Sequence, residues 1–336
     1  MARIRLAIAV SAFVTLVAAL PPSSADAQRA GKADSPQDAV AAITSALNAY
    51  RLVAIGEMHR NQQVHDLIAA LVRDARFLPK GGDVVVEFGN ARYQNRIDRY
   101  IGGETVDEKS LSQVWRDAVN ILVWDAPVYA RFFATVRDVN RTRSAAHRIR
   151  VVVADPPIDW AAIADRATWE QIANTRDEHF ADVIEREVLD RGHHALLVFG
   201  SAHVEHERAF EPYGKPVLAD LLDASHPGAT LYVTADWMNA ETDRLLARRR
   251  PPAVIPLHGT ALGAVGPPQR PRLEQLADAF LYLGPTSSLT TSVPSPQLYA
   301  DTVYLRELLR RDAIQGGANA AELRRLSLRF LDGRQQ

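Results

Sequence analysis

The sequence contains no cysteine, and this absence excludes several kinds of chemistry at once. Disulfide bonds, zinc–thiolate sites, iron–sulfur clusters, a thiol nucleophile and a lipid attached to an N-terminal cysteine all require that residue. A metal ion in this chain would therefore be held by His, Asp, Glu or water. Without disulfides the chain relies on its hydrophobic core, and 336 residues are enough to form a large one.

The sequence also lacks an excess of charge of either sign. Its 39 Lys and Arg residues stand against 40 Asp and Glu residues, so the formal net charge is −1 and the pI is near 6.8. A protein that binds nucleic acid needs a surplus of basic residues to neutralise phosphates, so nucleic acid is excluded as a partner. With 47% hydrophobic residues, the composition is that of a globular protein and not of a disordered chain.

No apolar run is long enough to span a membrane stably, including the N-terminal run from Leu6 to Leu20. Arg3 and Arg5 precede this run and Ala25-Asp26-Ala27 follows it, which is the pattern of a cleavable signal peptide. We therefore predict that residues 1–27 are a signal peptide and that the mature protein is exported, periplasmic or secreted, without a lipid anchor. An uncleaved N-terminal anchor is the alternative.

Seven short apolar runs, rich in β-branched residues and separated by helical patterns, predict an α/β fold. We expect a mostly parallel open sheet flanked by helices, in a single domain over residues 28–336. The predicted strands are Leu52–Gly56, Val84–Phe88, Ile149–Ala154, Ala195–Phe199, Thr230–Thr234, Ala253–Leu257 and Ala279–Leu283.

The connection between the second and third predicted strands is much longer than one crossover needs. It spans approximately residues 90–148 and carries aromatic residues at helical spacing. We predict an inserted helical subdomain or lid, and two ordinary packing helices are the alternative. A Gly- and Pro-rich stretch at 259–271 predicts a flexible loop, and whether it covers the site stays open. The aromatic residues are Tyr93, Tyr100, Trp115, Trp124, Tyr129, Phe132 and Phe133.

Polar residues follow the predicted strands at the point where an open parallel sheet binds its ligands. Two strand ends share the pattern Gly-x-x-His, at Gly56-Glu57-Met58-His59 and Gly200-Ser201-Ala202-His203, and Glu87 ends the second strand. Glu57 and His59 are two residues apart, so an extended chain places them on one side. The two carboxylates and two histidines suit a divalent metal ion, or a carboxylate-oriented histidine that acts as a general base without a metal.

Other residues near these strand ends carry weaker signals. Asp155, Asp236 and His258 follow the third, fifth and sixth strands. His65 lies on the predicted helix that Asn61 caps, and we expect it at the surface near the site. The segment Phe199–His203 lacks the second glycine of a G-x-S-x-G elbow, which argues against a serine hydrolase. The sequence also contains no H-E-x-x-H, P-loop or G-x-G-x-x-G motif.

The paired Gly-x-x-His motifs, with Val84-Val85-Val86-Glu87-Phe88 between them, resemble the superfamily of Tiki/TraB, ChaN and erythromycin-esterase proteins. The ChaN-type haem-binding uptake proteins resemble the chain most closely. The resemblance runs roughly from Leu52 to Glu207, about half of the chain. It extends through Gln94, Asp98, Trp115, the segment Asp155-Pro156-Pro157-Ile158-Asp159-Trp160, and Arg176.

This resemblance implies several different activities. Tiki-like members are metal-dependent peptidases, erythromycin esterases are hydrolases built around the Glu and His of the first motif, and ChaN is a haem-binding lipoprotein. Carried over by position, His59 and His203 are implied as catalytic or metal residues, Glu57 and Glu87 as ligands or bases, and Arg176 as an anion contact. The chain departs from ChaN in having no cysteine for a lipid, and from the esterases in the spacing of the first motif.

The leading interpretation is an exported metal-dependent hydrolase that cleaves a peptide or ester bond, with Arg176 and Asp155 binding the substrate. The alternative is a haem-binding uptake protein without catalytic activity, in which haem lies between the sheet edge and the aromatic insertion. A non-catalytic scaffold is a third reading. The expected ligands are a small molecule, a peptide or haem, the expected cofactor is a divalent metal ion or haem, and a homodimer stays open.

Overall fold

The computed structural model describes residues 37–78, 82–206, 215–266 and 271–333. The predicted signal peptide, residues 1–27, lies outside them, as do residues 267–270 of the predicted loop. Seven strands form one sheet. They are β1 (Leu52–Glu57), β2 (Gly82–Asn90), β3 (Ile149–Asp155), β4 (Ala195–Gly200), β5 (Thr230–Thr234), β6 (Ala253–Pro256) and β7 (Ala279–Tyr282).

Helices surround this sheet, and the longer ones precede or follow strands. Within the described residues they are α1 (Gln37–Ala49), α2 (Gln62–Arg73), α3 (Gln94–Ile101), α4 (Glu108–Arg116), α5 (Pro127–Thr142), α6 (Arg166–Ala173), α7 (Arg176–Ile184), α8 (Ser201–Val204), α9 (Leu218–Ser225), α10 (Ala240–Leu246), α11 (Leu273–Leu276), α12 (Pro296–Ala300), α13 (Thr302–Gln315) and α14 (Ala320–Gly333).

The strand order is β3-β2-β4-β1-β5-β7-β6, and every neighbouring pair is parallel except β6 and β7. The predicted α/β fold with a mostly parallel open sheet is confirmed. Because β6 runs antiparallel to β7, its carboxyl end lies at the edge opposite to the other strand ends. His258, which follows β6, is therefore separated from the other strand-end residues and pairs with Asp278 at an exposed position.

Alternation along the buried strands divides the core between the two faces of the sheet. Val53 and Ile55 of β1 face one cluster, which also contains the buried sides of α1, α2 and α5. Leu52 and Ala54 face a second cluster, in which α7 and α9 pack. The C-terminal helices α13 and α14 form a third cluster with residues that follow α4 and β3.

The helices between β2 and β3 pack on the first face of the sheet. Trp115 of α4 stacks on Phe133 of α5, with ring centroids 5.6 Å apart, and both rings are buried. Of the predicted loop at 259–271, the described part packs through Leu262 and Val265 into the core of the second face. No helix within the described ranges is both long enough and apolar enough to cross a membrane.

Candidate functional site

The candidate site lies where the parallel strands β1, β4 and β2 end side by side. Glu57, at the end of β1, pairs in register with Gly200, at the end of β4. A Cβ atom on Gly200 would lie 2.6 Å from Cε1 of His59 and 3.2 Å from Oε2 of Glu87. A Cβ contact of 2.6 Å is shorter than real ones, so a larger residue at position 200 would displace the His59 imidazole from the strand end.

One half of the site, called here the Glu57 side, is built on the first face of the sheet. Nδ1 of His59 lies 3.2 Å from Oε1 of Glu57, as their spacing of two residues predicts. The hydroxyl of Tyr129 donates to the same oxygen over 3.4 Å. Nε2 of His65 lies 2.6 Å from Oε2 of Glu57, within ion-pair distance. Glu57 is fully buried among these groups.

These neighbours keep Glu57 ionised. Burial by itself raises the pKa of its carboxyl, but the charge of His65 and the hydrogen bond to His59 outweigh burial and hold the pKa below the ordinary 4.5. The pKa of His59 moves the other way. Burial lowers it, whereas the charge of Glu87 and the contact with Glu57 raise it more, so it lies above 6.5.

The other half, called here the Glu87 side, is an ion-pair cluster. Nη2 of Arg176 donates to Oε1 of Glu87 over 2.8 Å and to Oδ1 of Asp155 over 2.7 Å. The backbone N–H of Gly200 donates to Oε2 of Glu87 over 2.7 Å. His203 contributes Nε2, which lies 3.5 Å from Oε1 of Glu87, while its Nδ1 lies 2.8 Å from Oδ1 of Asp177.

The partners on this side fix the protonation of the buried groups. Burial raises the pKa of the Glu87 carboxyl, but the positive charges of His203, His59 and Arg176 outweigh it and hold the pKa well below 4.5. Burial lowers the pKa of His203, yet the charge of Glu87 and the hydrogen bond to Asp177 raise it to about 9. His203 is therefore protonated at neutral pH.

His65 and Asp177 are the two site residues that the sequence analysis misplaced or missed. His65 is buried and not at the surface, because it lies three residues before Ile68 and seven before Val72 on the buried stripe of α2. That helical spacing could have shown its orientation. Asp177 lies far along the chain from His203, and no local pattern joins the two.

Arg176 and Asp155, which the sequence analysis assigned to substrate binding, bond to each other. Asp155 is fully buried, and its second oxygen accepts the backbone N–H of Val119. It has no surface to offer a substrate, so its contact is with Arg176. Arg176 and His203 line a cavity of about 170 Å³, together with Asp177 and Lys215.

Trp124 covers His59 from the side of the inserted helices. The two rings meet edge to face, with centroids 4.7 Å apart. The next residue, Asp125, accepts hydrogen bonds from Tyr299 over 3.1 Å and from Tyr304 over 2.7 Å. The C-terminal helices α12 and α13 therefore hold the segment that covers His59.

The predicted divalent metal ion finds no support in the described residues. Among them, no group of three or more His, Asp or Glu side chains is arranged to hold a metal ion. The reason is that the carboxylate oxygens already have partners: Arg176 and the N–H of Gly200 occupy Glu87, and Glu57 is surrounded by imidazoles and a hydroxyl. The four side chains proposed as ligands, Glu57, His59, Glu87 and His203, come together as an acid–base cluster.

Comparison with known families agrees with the motifs. The model of the family described as haem-binding uptake, Tiki superfamily, ChaN matches residues 43–171, which is less than half of the chain. Over these residues the chain is similar to this family. The matched part contains Glu57, His59, Glu87 and Asp155, and it ends before Arg176. No curated protein matches the sequence.

Several solved structures are similar to the chain at low identity. The type III effector HopBA1 is 11% identical, with a TM-score of 0.43 over 74% of this chain and 94% of the effector. A Bacillus cereus protein is 10% identical, with a TM-score of 0.49 over 77% of this chain and 93% of its own. ChaN of Campylobacter jejuni, described for cofacial haem binding, is 14% identical, with a TM-score of 0.39 over 59% and 86%. These likenesses carry no functional argument.

Proposed function

We propose that this ChaN-like protein hydrolyses an ester or peptide bond without a bound metal ion. In this proposal His59 is the general base and protonated His203 stabilises the negative charge that develops on the substrate oxygen. The observation that supports it is the orientation of the two imidazoles. Glu57 holds Nδ1 of His59 and Asp177 holds Nδ1 of His203, and both rings lie at the same edge of the sheet. A carboxylate that orients an imidazole is the usual arrangement of a histidine base.

His59 has the environment that a base requires. Glu57 binds Nδ1, and Nε2 has no hydrogen-bond partner within the described residues. A third of the side chain is exposed, so a substrate and a water molecule can reach it. In the proposed reaction Nε2 takes a proton from water as the water oxygen bonds to the carbonyl carbon. The bond between that carbon and the leaving-group oxygen or nitrogen then breaks, and Nε2 returns the proton to the leaving group.

His203 supplies the complementary charge. Its pKa of about 9 keeps the ring positively charged at neutral pH. The side chain is 14% exposed and borders the cavity beside Arg176. A cation fixed before the reaction, in a site of low polarity, lowers the energy of a developing oxyanion.

The test is the hydrolysis of 4-nitrophenyl esters and short peptides by the wild type and by His59→Ala and His203→Ala, with a chelator present throughout. Loss of a general base or of a charge at the reacting oxygen is expected to lower kcat/KM by about 10²- to 10⁴-fold. The exposed His258→Ala is the matched control and should keep wild-type activity. Full activity of either site variant, or loss of activity with the chelator that a metal ion restores, would contradict the proposal.

Haem binding is the second candidate, and the family match over residues 43–171 favours it. The space proposed for haem, between the sheet edge and the aromatic insertion, is filled in the described residues. Phe88, Trp124 and Tyr129 pack against one another with centroids 4.8 to 6.2 Å apart, and all three are buried. If the protein is the proposed hydrolase, titration with haemin should give no stoichiometric Soret band that depends on His59, and such a band would replace the hydrolase proposal.

We further propose that the protein is exported and acts on a small-molecule or peptide substrate outside the cytoplasm. The support is the signal-peptide pattern of residues 1–27 together with the family description as uptake proteins. Expression of the full sequence followed by N-terminal sequencing should find Gln28 as the first residue. A chain that still begins at Met1 in the membrane fraction would show an uncleaved anchor.

A further inference from the structure

Arg60 follows His59 directly and has an unusual backbone conformation. Its φ is +67°, in the left-handed region that side chains larger than Gly and Asn rarely adopt. Two hydrogen bonds hold it there. Its N–H donates to the hydroxyl of Tyr129 over 2.9 Å, and its carbonyl accepts the N–H of Ser292 over 2.7 Å. The backbone at Arg60, and with it the direction in which the side chain leaves the backbone beside His59, is therefore fixed.

Among the residues that the structure describes, the guanidinium group of Arg60 has no acidic partner. Its Nε atom is buried and makes no hydrogen bond, and within the described residues no carboxylate lies within 4.0 Å of its nitrogen atoms. This contrasts with Arg176, which binds two carboxylates. A half-buried cation without a partner costs free energy, so its retention beside the proposed base indicates a charge that arrives from outside the chain.

The charge of Arg60 acts on two tyrosine hydroxyl groups near the site. Burial and the charges of nearby carboxylates raise the pKa of Tyr129 and of Tyr299, and the positive charge of Arg60 opposes this rise at both hydroxyl groups. Tyr299 bonds to Asp125, the neighbour of Trp124. Arg60 is thus close to the tyrosines that contact Glu57 and Asp125.

We infer that Arg60 binds an anionic group of the substrate, so that the substrate class is an ester or amide carrying a carboxylate or a similar anion on its acyl part. This inference rests on the proposed hydrolytic function. A guanidinium group binds carboxylates and phosphates through two parallel hydrogen bonds, which would fix the acyl part relative to His59. Arg60 is then a residue that determines specificity, and His59 and His203 carry the chemistry.

The test compares two esters with acyl chains of equal length, mono-4-nitrophenyl glutarate and 4-nitrophenyl pentanoate, in the full chain. The measured quantity is the ratio of kcat/KM for the anionic ester to that for the neutral ester. In Arg60→Met this ratio should fall by about 10- to 100-fold, as loss of a charge-assisted contact implies. Arg60→Lys should keep most of the ratio. Arg76→Met, which removes an exposed arginine paired with Asp74, should keep all of it.

Calorimetric titration with glutarate gives a readout that does not need turnover. The wild type should bind glutarate, and Arg60→Met should bind at least about 10-fold more weakly. If the wild type hydrolyses neither ester, the proposed hydrolase fails, and the titration alone then decides the anion site. An unchanged ratio in Arg60→Met, or glutarate affinity that is absent or independent of Arg60, would overturn the inference.

Discussion

The two buried carboxylates of the site remain ionised by different means. Glu57 is surrounded by titratable or neutral groups, namely two imidazoles and a tyrosine hydroxyl. Glu87 is bound by the permanently charged Arg176 and by the backbone N–H of Gly200. The pKa of both carboxyls is lowered, but that of Glu87 is lowered much more.

This difference divides the proposed chemistry between the two sides. On the Glu57 side, the imidazole of His59 can gain and lose a proton at Nε2, because Glu57 binds only Nδ1. On the Glu87 side, the charge of Glu87 and the hydrogen bond to Asp177 hold His203 in its protonated form. The Glu57 side therefore suits proton transfer, and the Glu87 side suits stabilisation of negative charge.

Removal of the fixed charge should produce the largest change in stability. Arg176→Met leaves Glu87 and Asp155 buried without their common cation, so the free energy of unfolding should fall by about 3–5 kcal/mol. Urea unfolding of the wild type and the variant measures this difference in the free energy of unfolding. The control is Arg131→Met, which breaks an exposed pair with Asp66 and should cost at most about 1 kcal/mol. Equal losses in the two variants would show that the Glu87 side is not a structural ion-pair cluster.

The charge on His203 should make stability depend on alkaline pH. Its pKa rises from about 6.5 unfolded to about 9 folded, so its contribution is fully present below pH 6.5 and is lost as pH rises through 9. The wild type should lose on the order of 3 kcal/mol across this window. His203→Gln should lose distinctly less, with the rest due to His59, whose pKa is also raised. Urea unfolding at a series of pH values measures the free energy of unfolding of both proteins. If it fell equally with pH in the two proteins, the positive charge on folded His203 would be excluded.

The Glu57 side should tolerate loss of one hydroxyl. In Tyr129→Phe the N–H of Arg60 loses its acceptor and Glu57 loses a distant donor, so stability should fall by about 1 kcal/mol. Thermal unfolding at fixed pH measures the change. Tyr100→Phe is the matched control, since its hydroxyl makes no hydrogen bond within the described residues. A loss of stability above about 3 kcal/mol would show that the contacts of Glu57 are as important for stability as those of Glu87.

The sequence predicted all seven strands because buried parallel strands are continuous apolar runs with clear ends. It also predicted the contact between Glu57 and His59, since their spacing is local. It could not predict the antiparallel direction of β6, which depends on pairing with β7. Nor could it predict that Asp177 orients His203, because that contact arises only when α7 packs beside the end of β4.

For the same reason, the sequence could not predict that the C-terminal helices hold the segment that contains Trp124. Tyr299 and Tyr304 lie more than 170 residues from Asp125, and both bonds depend on tertiary packing. The burial of His65, in contrast, was readable from its spacing to Ile68. The metal prediction finds no support in the described residues, and residue types alone do not show that Arg176 binds the Glu87 carboxylate.

The most direct test of the central claim is the pH dependence of kcat/KM for an ester substrate, measured with a chelator in the wild type and in His203→Gln. The wild type should show a rising limb above pH 6.5, as His59 loses its proton, and a falling limb near pH 9, as His203 loses its own. His203→Gln should have a lower kcat/KM and no falling limb near pH 9. A rate that keeps rising past pH 10 in the wild type, or the same falling limb in both proteins, would contradict the account.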